Sequence, residues 1–153
     1  MMTRAERAVA LHTAGSSCSQ AAFTVFSKDL GIDETLAHRL STGFGGGIGR
    51  KGHVCGAVSG GVLALSMLFG SHVGGEQDKK NKTYEEVARF IDEIEKRHGS
   101  SQCRTLLGGA DLQTEEGKAR VKAEGLGAKV CNPLIVEVVE YIEKVLEREA
   151  KHG

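Results

Sequence analysis

Nine of the chain's 21 glycines fall between residues 43 and 61, in the stretch GFGGGIGRKGHVCGAVSGG, which runs directly into the apolar segment VLALSMLF. Glycine gives up more backbone entropy on folding than any other residue. Such density therefore implies positive φ angles or a very close backbone approach. One cysteine, Cys55, sits between the glycine clusters. The chain must fold tightly against something at or beside that sulfur.

With 153 residues, the chain is expected to form a single domain around one hydrophobic core. Its 20 Lys+Arg balance 20 Asp+Glu, so no global basic field invites nucleic acid, and no nucleic-acid partner is expected. No apolar run reaches the roughly 18 to 20 residues of a membrane span. Met1 to Gly15 is charged and alanine-bearing, without the apolar core of a signal peptide. The expectation is a soluble cytoplasmic protein with no membrane partner. In a reducing compartment its 4 cysteines are not static disulfides. No CxxC pair is present, which leaves zinc-ribbon and thioredoxin readings without their usual signal, and the lack of CxxCH excludes covalent haem attachment.

Hydrophobic periodicity indicates helix almost throughout, with no strand alternation and no internal repeat. The expected fold is all-α, about five to seven helices around a central apolar helix, on this periodicity. Thr3-x-x-Glu6 is a capping box opening a helix that ends near Gly15. Ser17-x-x-Gln20 opens a second, carrying Ala21, Ala22, Val25, Phe26 and Leu30 to a stop at Gly31. Asp33 caps a short helix with Leu36 and Leu40. The central helix spans about Cys55 to Phe69 and is apolar nearly all round, as buried helices are. Residues 74–82 read as a polar surface loop, and Thr83-x-x-Glu86 as a third capping box with Tyr84, Val87, Ile91 and Ile94 inward. A helical turn follows at Cys103 to Leu107, then a weakly helical stretch from Thr114 to Glu124. Asn132-Pro133 reads as an N-cap with proline at the first helical position. The last helix buries Leu134, Ile135, Val138, Ile142, Val145 and Leu146. Val136, Val139 and Val145 widen its apolar stripe, which suggests a homodimer.

On this map Cys18, Cys55, Cys103 and Cys131 all fall at helix starts. Unpaired N–H groups and the helix dipole there favour an anion, so a thiolate becomes a better nucleophile or metal ligand. The alternative is that each is a small buried hydrophobe. Gly47-Ile48-Gly49-Arg50-Lys51-Gly52 matches GxGxxG, but no strand precedes it and no βαβ unit follows. A P-loop fails because His53 stands where its lysine belongs. Gly47, Gly49, Gly52, His53 and Gly56 read instead as a loop held against the Cys55 site. Arg50, Lys51 and His53 either lend it positive charge or form a solvated basic tip. Gly56 and Gly60, four apart, leave a groove for another backbone or for an inorganic centre.

These residues resemble the redox-active family named for the pattern C-GCAxxG-C-C: Cys18, then Cys55-Gly56-Ala57-Val58-Ser59-Gly60, then Cys103, then Cys131, with the FGGGIGR lead-in at residues 44–50. The resemblance covers almost the whole chain. It implies redox chemistry at sulfur, since some members are selenoproteins and a similar module in split-Soret cytochromes is associated with an iron–sulfur centre. The haem segment of those cytochromes has no counterpart here. Three readings stay open. Cys18, Cys55, Cys103 and Cys131 ligate a [2Fe–2S] or [4Fe–4S] cluster and serve an electron-transfer partner protein. Or they exchange disulfides with a thiol redox partner, Cys55 attacking and Cys18 assisting. Or the four thiolates hold structural zinc.

Overall fold

Side-chain caps set four of the helix starts in the computed structural model, which describes residues 1–152. Thr3 and Glu6 close a reciprocal capping box on α1 (Arg4–Thr13), and Ser17 and Gln20 do the same for α2 (Cys18–Thr24). Asp33 accepts from the Leu36 N–H to start α3 (Glu34–Ser41), and Thr114 accepts from Gly117 to start α7 (Glu115–Ala123). The other helices are α4 (Gly56–Phe69), α5 (Gln77–His98), α6 (Cys103–Leu106) and α8 (Asn132–His152). Among the described residues the β structure is one isolated antiparallel bridge, between Val54 and Gln102. The fold is all-α, with eight α-helices among the described residues where five to seven helices are expected. No helix among the described residues is long and apolar enough to cross a membrane.

Three boundaries differ from the sequence expectation, each for a local reason. α2 ends at Thr24, after which Phe26 and Ser27 donate to carbonyls three residues back, and the chain continues as turns to Gly31. α5 begins at Gln77, six residues before Thr83, so 77–82 is helix and not loop. Glu76 receives the His72 and Val73 N–H groups and pairs with Lys79, which organises that start. Thr83 therefore caps nothing; its hydroxyl donates to the Lys79 carbonyl. The inward face of α5 runs through Thr83, Glu86, Phe90 and Ile94, leaving Tyr84 exposed. Glu86 is buried beside Lys82 and Arg148; burial pushes its carboxyl up, but the two cations outweigh it and hold it below the usual range. Finally, α8 does not start at an Asn132 cap, because helical backbone already precedes it.

α4 is the central element, packed on α2, α5 and α8. Its first half, Gly56 to Gly61, is wholly buried, whereas Met67 near its end is exposed. Glycines set the closeness of the α2–α4 crossing. A Cβ at Gly60 would stand 2.9 Å from Ala22 Cβ and 3.0 Å from the Ser19 carbonyl oxygen; one at Gly56 would stand 3.0 Å from the Ser19 nitrogen. The groove of Gly56 and Gly60 thus receives the α2 backbone. The main core gathers Phe23, Phe26, Leu65, Phe90, Ile94 and Ile142. Val139 and Val145 are buried in it and Val136 packs against it half-buried, so the chain itself covers the stripe from which a dimer is expected. A second, smaller cluster comprises Cys103, Leu107 and Ala110, with Val121, Val130 and Cys131 against it.

Gly60→Val is expected to lower the free energy of unfolding by about 1–3 kcal/mol through overpacking. Gly74→Ala, where a new Cβ meets nothing within 4 Å, is the control and stays near neutral. Urea unfolding of both variants checks this; equal stability would show that the crossing has slack.

Candidate functional site

Four separate elements each deliver one cysteine to the seam between the two apolar clusters. Cys18 is the first residue of α2, Cys55 the N-cap position of α4, and Cys103 the first residue of α6. Cys131 is different. It ends a widened π-helical turn, Gly127–Cys131, in which the Asn132 N–H reaches back to the Gly127 carbonyl. Proline cannot donate to a helix ladder and crowds the turn before it. The wide turn accommodates Pro133 inside one continuous helix, so Cys131 is not at a helix start and Asn132 is free to face elsewhere.

All four cysteines line one cavity of about 600 Å³. The sulfurs of Cys18 and Cys131 lie within 4.8 Å of each other and of a His12 ring nitrogen. Cys55 and Cys103 are tied by main-chain bonds on either side of the Val54–Gln102 bridge: Cys55 N–H donates to the Ser101 carbonyl (2.8 Å) and Cys103 N–H to the His53 carbonyl (2.6 Å). Cys18 and Cys55 belong to the main core, Cys103 and Cys131 to the smaller cluster.

The glycine-dense loop forms one wall. From Gly46 to Arg50 five consecutive residues have φ between +56° and +72°, a left-handed run that includes Ile48 and Arg50. Left-handed backbone costs roughly 1–2 kcal/mol for each residue with a Cβ, which explains why the other three are glycine. Main-chain bonds reach back across the run: Gly49 to Gly43 (3.0 Å), Gly52 to Gly46 (3.2 Å) and His53 to Gly47 (2.9 Å). A Cβ on Gly47 would stand 2.7 Å from Cys103 Cβ, and one on Gly52 would stand 2.9 Å from Arg104 Cβ. The loop is pressed against α6.

Of the residues expected at the site, Gly49, Gly56 and Arg50 line the cavity. Gly47, Gly52 and His53 do not; they join the loop to α6, and the His53 side chain is exposed. Lys51 is exposed at the tip. Two features carry no sequence signal. One is His12, in the last turn of α1, whose Nε2 lies 3.7 Å from Cys18 Sγ while its Nδ1 meets Asn132 Oδ1 at 2.7 Å. The other is an apolar wall of Leu106, Leu107, Leu112, Val121 and Val130.

The thiols are not equivalent. Burial pushes Cys55 up to about 11, although the Val58 and Ala57 N–H groups at the start of α4 pull the other way. The helix start therefore does not make Cys55 a ready thiolate. Burial, with the neighbouring sulfurs, pushes Cys103 up to about 12. Cys18 and Cys131 share a proton: the Cys18 thiol donates, so Cys18 is raised well above the ordinary value and Cys131 is lowered. Of the two, Cys131 is the sulfur that gives up its proton more readily.

Residues 16–145 match a family model described as "Putative redox-active protein (C_GCAxxG_C_C)". An uncharacterized protein of Archaeoglobus fulgidus is 25% identical over 122 residues, which is 74% of this chain and 80% of the relative. No solved structure matches the chain.

In the reduced, metal-free protein Cys131 is expected to be alkylated first, and Cys55 and Cys103 last. Time-resolved peptide mapping checks the order; uniform alkylation would contradict it. Stability should follow the same shifts. Cys55 and Cys103 hold protons more tightly folded than unfolded, so their contribution is full below the ordinary thiol value of 9.0 and is lost as pH rises through about 11 and about 12. Cys131 acts oppositely, its contribution present above 9.0 and lost as pH falls through its lowered value.

Proposed function

The chain belongs to the C_GCAxxG_C_C family, and from that premise we propose that its redox role is carried by an iron–sulfur cluster, [2Fe–2S] or [4Fe–4S], held by Cys18, Cys55, Cys103 and Cys131. The observation that carries this reading is the meeting of four sequence-remote thiols on one cavity. Four thiolates are the usual donor set for either cluster, so the residues present fit the group. When bound, such a cluster transfers single electrons.

The chain's own residues do the rest. Gly49 and Gly56 keep side chains out of the cavity, and the Ala57 and Val58 N–H groups point at the Cys55 sulfur. Hydrogen bonds of that kind to ligand sulfur tune a cluster's potential. Leu106, Leu107 and Leu112 keep one wall apolar and restrict water. Arg50, beside the cavity, and Lys51, at the tip, have no carboxylate within ion-pair distance among the described residues. With exposed Ile48 they offer a docking edge for an electron-transfer partner protein. The reading places the protein in a reducing compartment such as the cytoplasm, where the thiols stay available as ligands.

The proximity of Cys18 and Cys131 favours a second reading, thiol–disulfide exchange. The Cys131 thiolate attacks a partner disulfide, Cys18 displaces the mixed disulfide, and the partner leaves as a dithiol while this chain keeps a Cys18–Cys131 bridge. Here Cys131, not Cys55, is the attacking sulfur.

Anaerobic purification with iron and acid-labile sulfide analysis tests the cluster reading. A brown protein carrying both is expected, with Cys55→Ser losing iron at unchanged helical content. Gly56→Val should also lose iron, by crowding Cys18 Cβ and the cavity. A colourless, iron-free wild type that cycles between dithiol and Cys18–Cys131 disulfide would replace the cluster with thiol exchange.

A further inference from the structure

His12 has the position and orientation of a metal ligand, although no sequence motif marks it. We propose that His12 Nε2, Cys18 Sγ and Cys131 Sγ form a single-ion site for a borderline divalent transition metal such as Zn²⁺, with its fourth position open to the cavity. The inference shares two thiolates with the cluster reading but does not rest on it, because it concerns the protein loaded with metal in the absence of sulfide.

Three observations carry it. The three donor atoms lie within 4.8 Å of one another, and His12 Nε2 is 3.7 Å from Cys18 Sγ. A tetrahedral ion with Zn–S of about 2.3 Å and Zn–N of about 2.0–2.1 Å sets donor separations of about 3.5–3.8 Å, so little movement is needed. Next, His12 is oriented from behind. Its Nδ1–H donates to Asn132 Oδ1 at 2.7 Å, which leaves Nε2 as the unprotonated nitrogen facing the sulfurs. Ligating histidines are held by such a bond from the other ring nitrogen, which fixes the tautomer and raises ligand basicity. The wide turn before α8 places Cys131 and Asn132 side by side, one as donor and one as the support for His12. Lastly, the cavity continues past the triad towards Cys55 and Cys103. Two thiolates and one imidazole with an open position are a ligand set of catalytic zinc, whereas structural zinc is closed by four protein ligands.

The site differs from a tetrathiolate zinc site in what it needs. It uses imidazole and dispenses with Cys55 and Cys103. The test is anaerobic titration of the reduced, metal-free full chain with Co²⁺, followed by displacement with Zn²⁺. One Co²⁺ per chain is expected, with thiolate charge-transfer and tetrahedral d–d bands. Cys55→Ser and Cys103→Ser should retain the spectrum, with affinity changed by no more than a few-fold. His12→Ala and His12→Gln should lose tight binding. Asn132→Ala should keep the spectrum but weaken affinity about 10- to 100-fold, the usual effect of losing a ligand's outer support. X-ray absorption of the Zn²⁺-loaded wild type needs no variant and should count two sulfurs and one imidazole. Four sulfurs there, or unchanged Co²⁺ affinity and spectrum in both His12 variants, would overturn the proposal. Iron and sulfide content of the protein as purified is a separate readout, so failure of the cluster reading and failure of this one are distinguishable.

Discussion

The close crossing of α2 and α4 is the contact on which the rest of the site depends. Both helices begin with a cysteine position, and they can bring those starts together only because Gly56 and Gly60 present no side chain to the α2 backbone. With Cys18 and Cys55 on one cavity, the chain has to return from α3 to the start of α4. The left-handed run from Gly46 to Arg50 makes that return. Ile48 and Arg50 are held there against their own steric preference, by main-chain bonds across the loop and by its packing on α6. Strain of this kind persists only where surrounding structure over-determines it, and it concentrates at functional sites.

The cysteines also occupy a mechanical position. Cys18 and Cys55 belong to the main core, while Cys103 and Cys131 belong to a much smaller cluster built on α6, α7 and the π turn. A metal centre bridging the four would fasten the small cluster to the large one. Anything that binds only the folded state stabilises it by mass action. Loss of metal should therefore loosen the α6–α7 region before it disturbs α4. The cavity and its thiols lie where the smaller cluster meets the larger one.

The all-helical class is legible because caps and periodicity agree at α1, α2 and α3. The boundaries that differ lie where another local interaction outweighs the cap pattern. Thr83 looks like a cap, yet α5 starts earlier because Glu76 organises the turn before it. Asn132-Pro133 looks like a helix start, yet a widened turn carries the helix through it. The cysteines themselves stood out in sequence, and they do share one cavity. Burial, however, reverses the acidity expected for Cys55, because removing a thiolate from water costs more than two N–H groups return. His12 could not be found from spacing, since α1 reaches the site only through packing against α2 and α8. Gly47, Gly52 and His53 were near the site in sequence but serve the joint between loop and α6.

Four cysteines far apart in sequence line a single cavity, with Cys18 and Cys131 in hydrogen-bonding contact. Limited oxidation of the reduced, metal-free protein, followed by disulfide mapping of the peptides, tests this most directly. Bridges within one chain and among these four residues are expected, with Cys18–Cys131 forming first. Cysteines that stay reduced under the same oxidant, or that bridge only between chains, would contradict it.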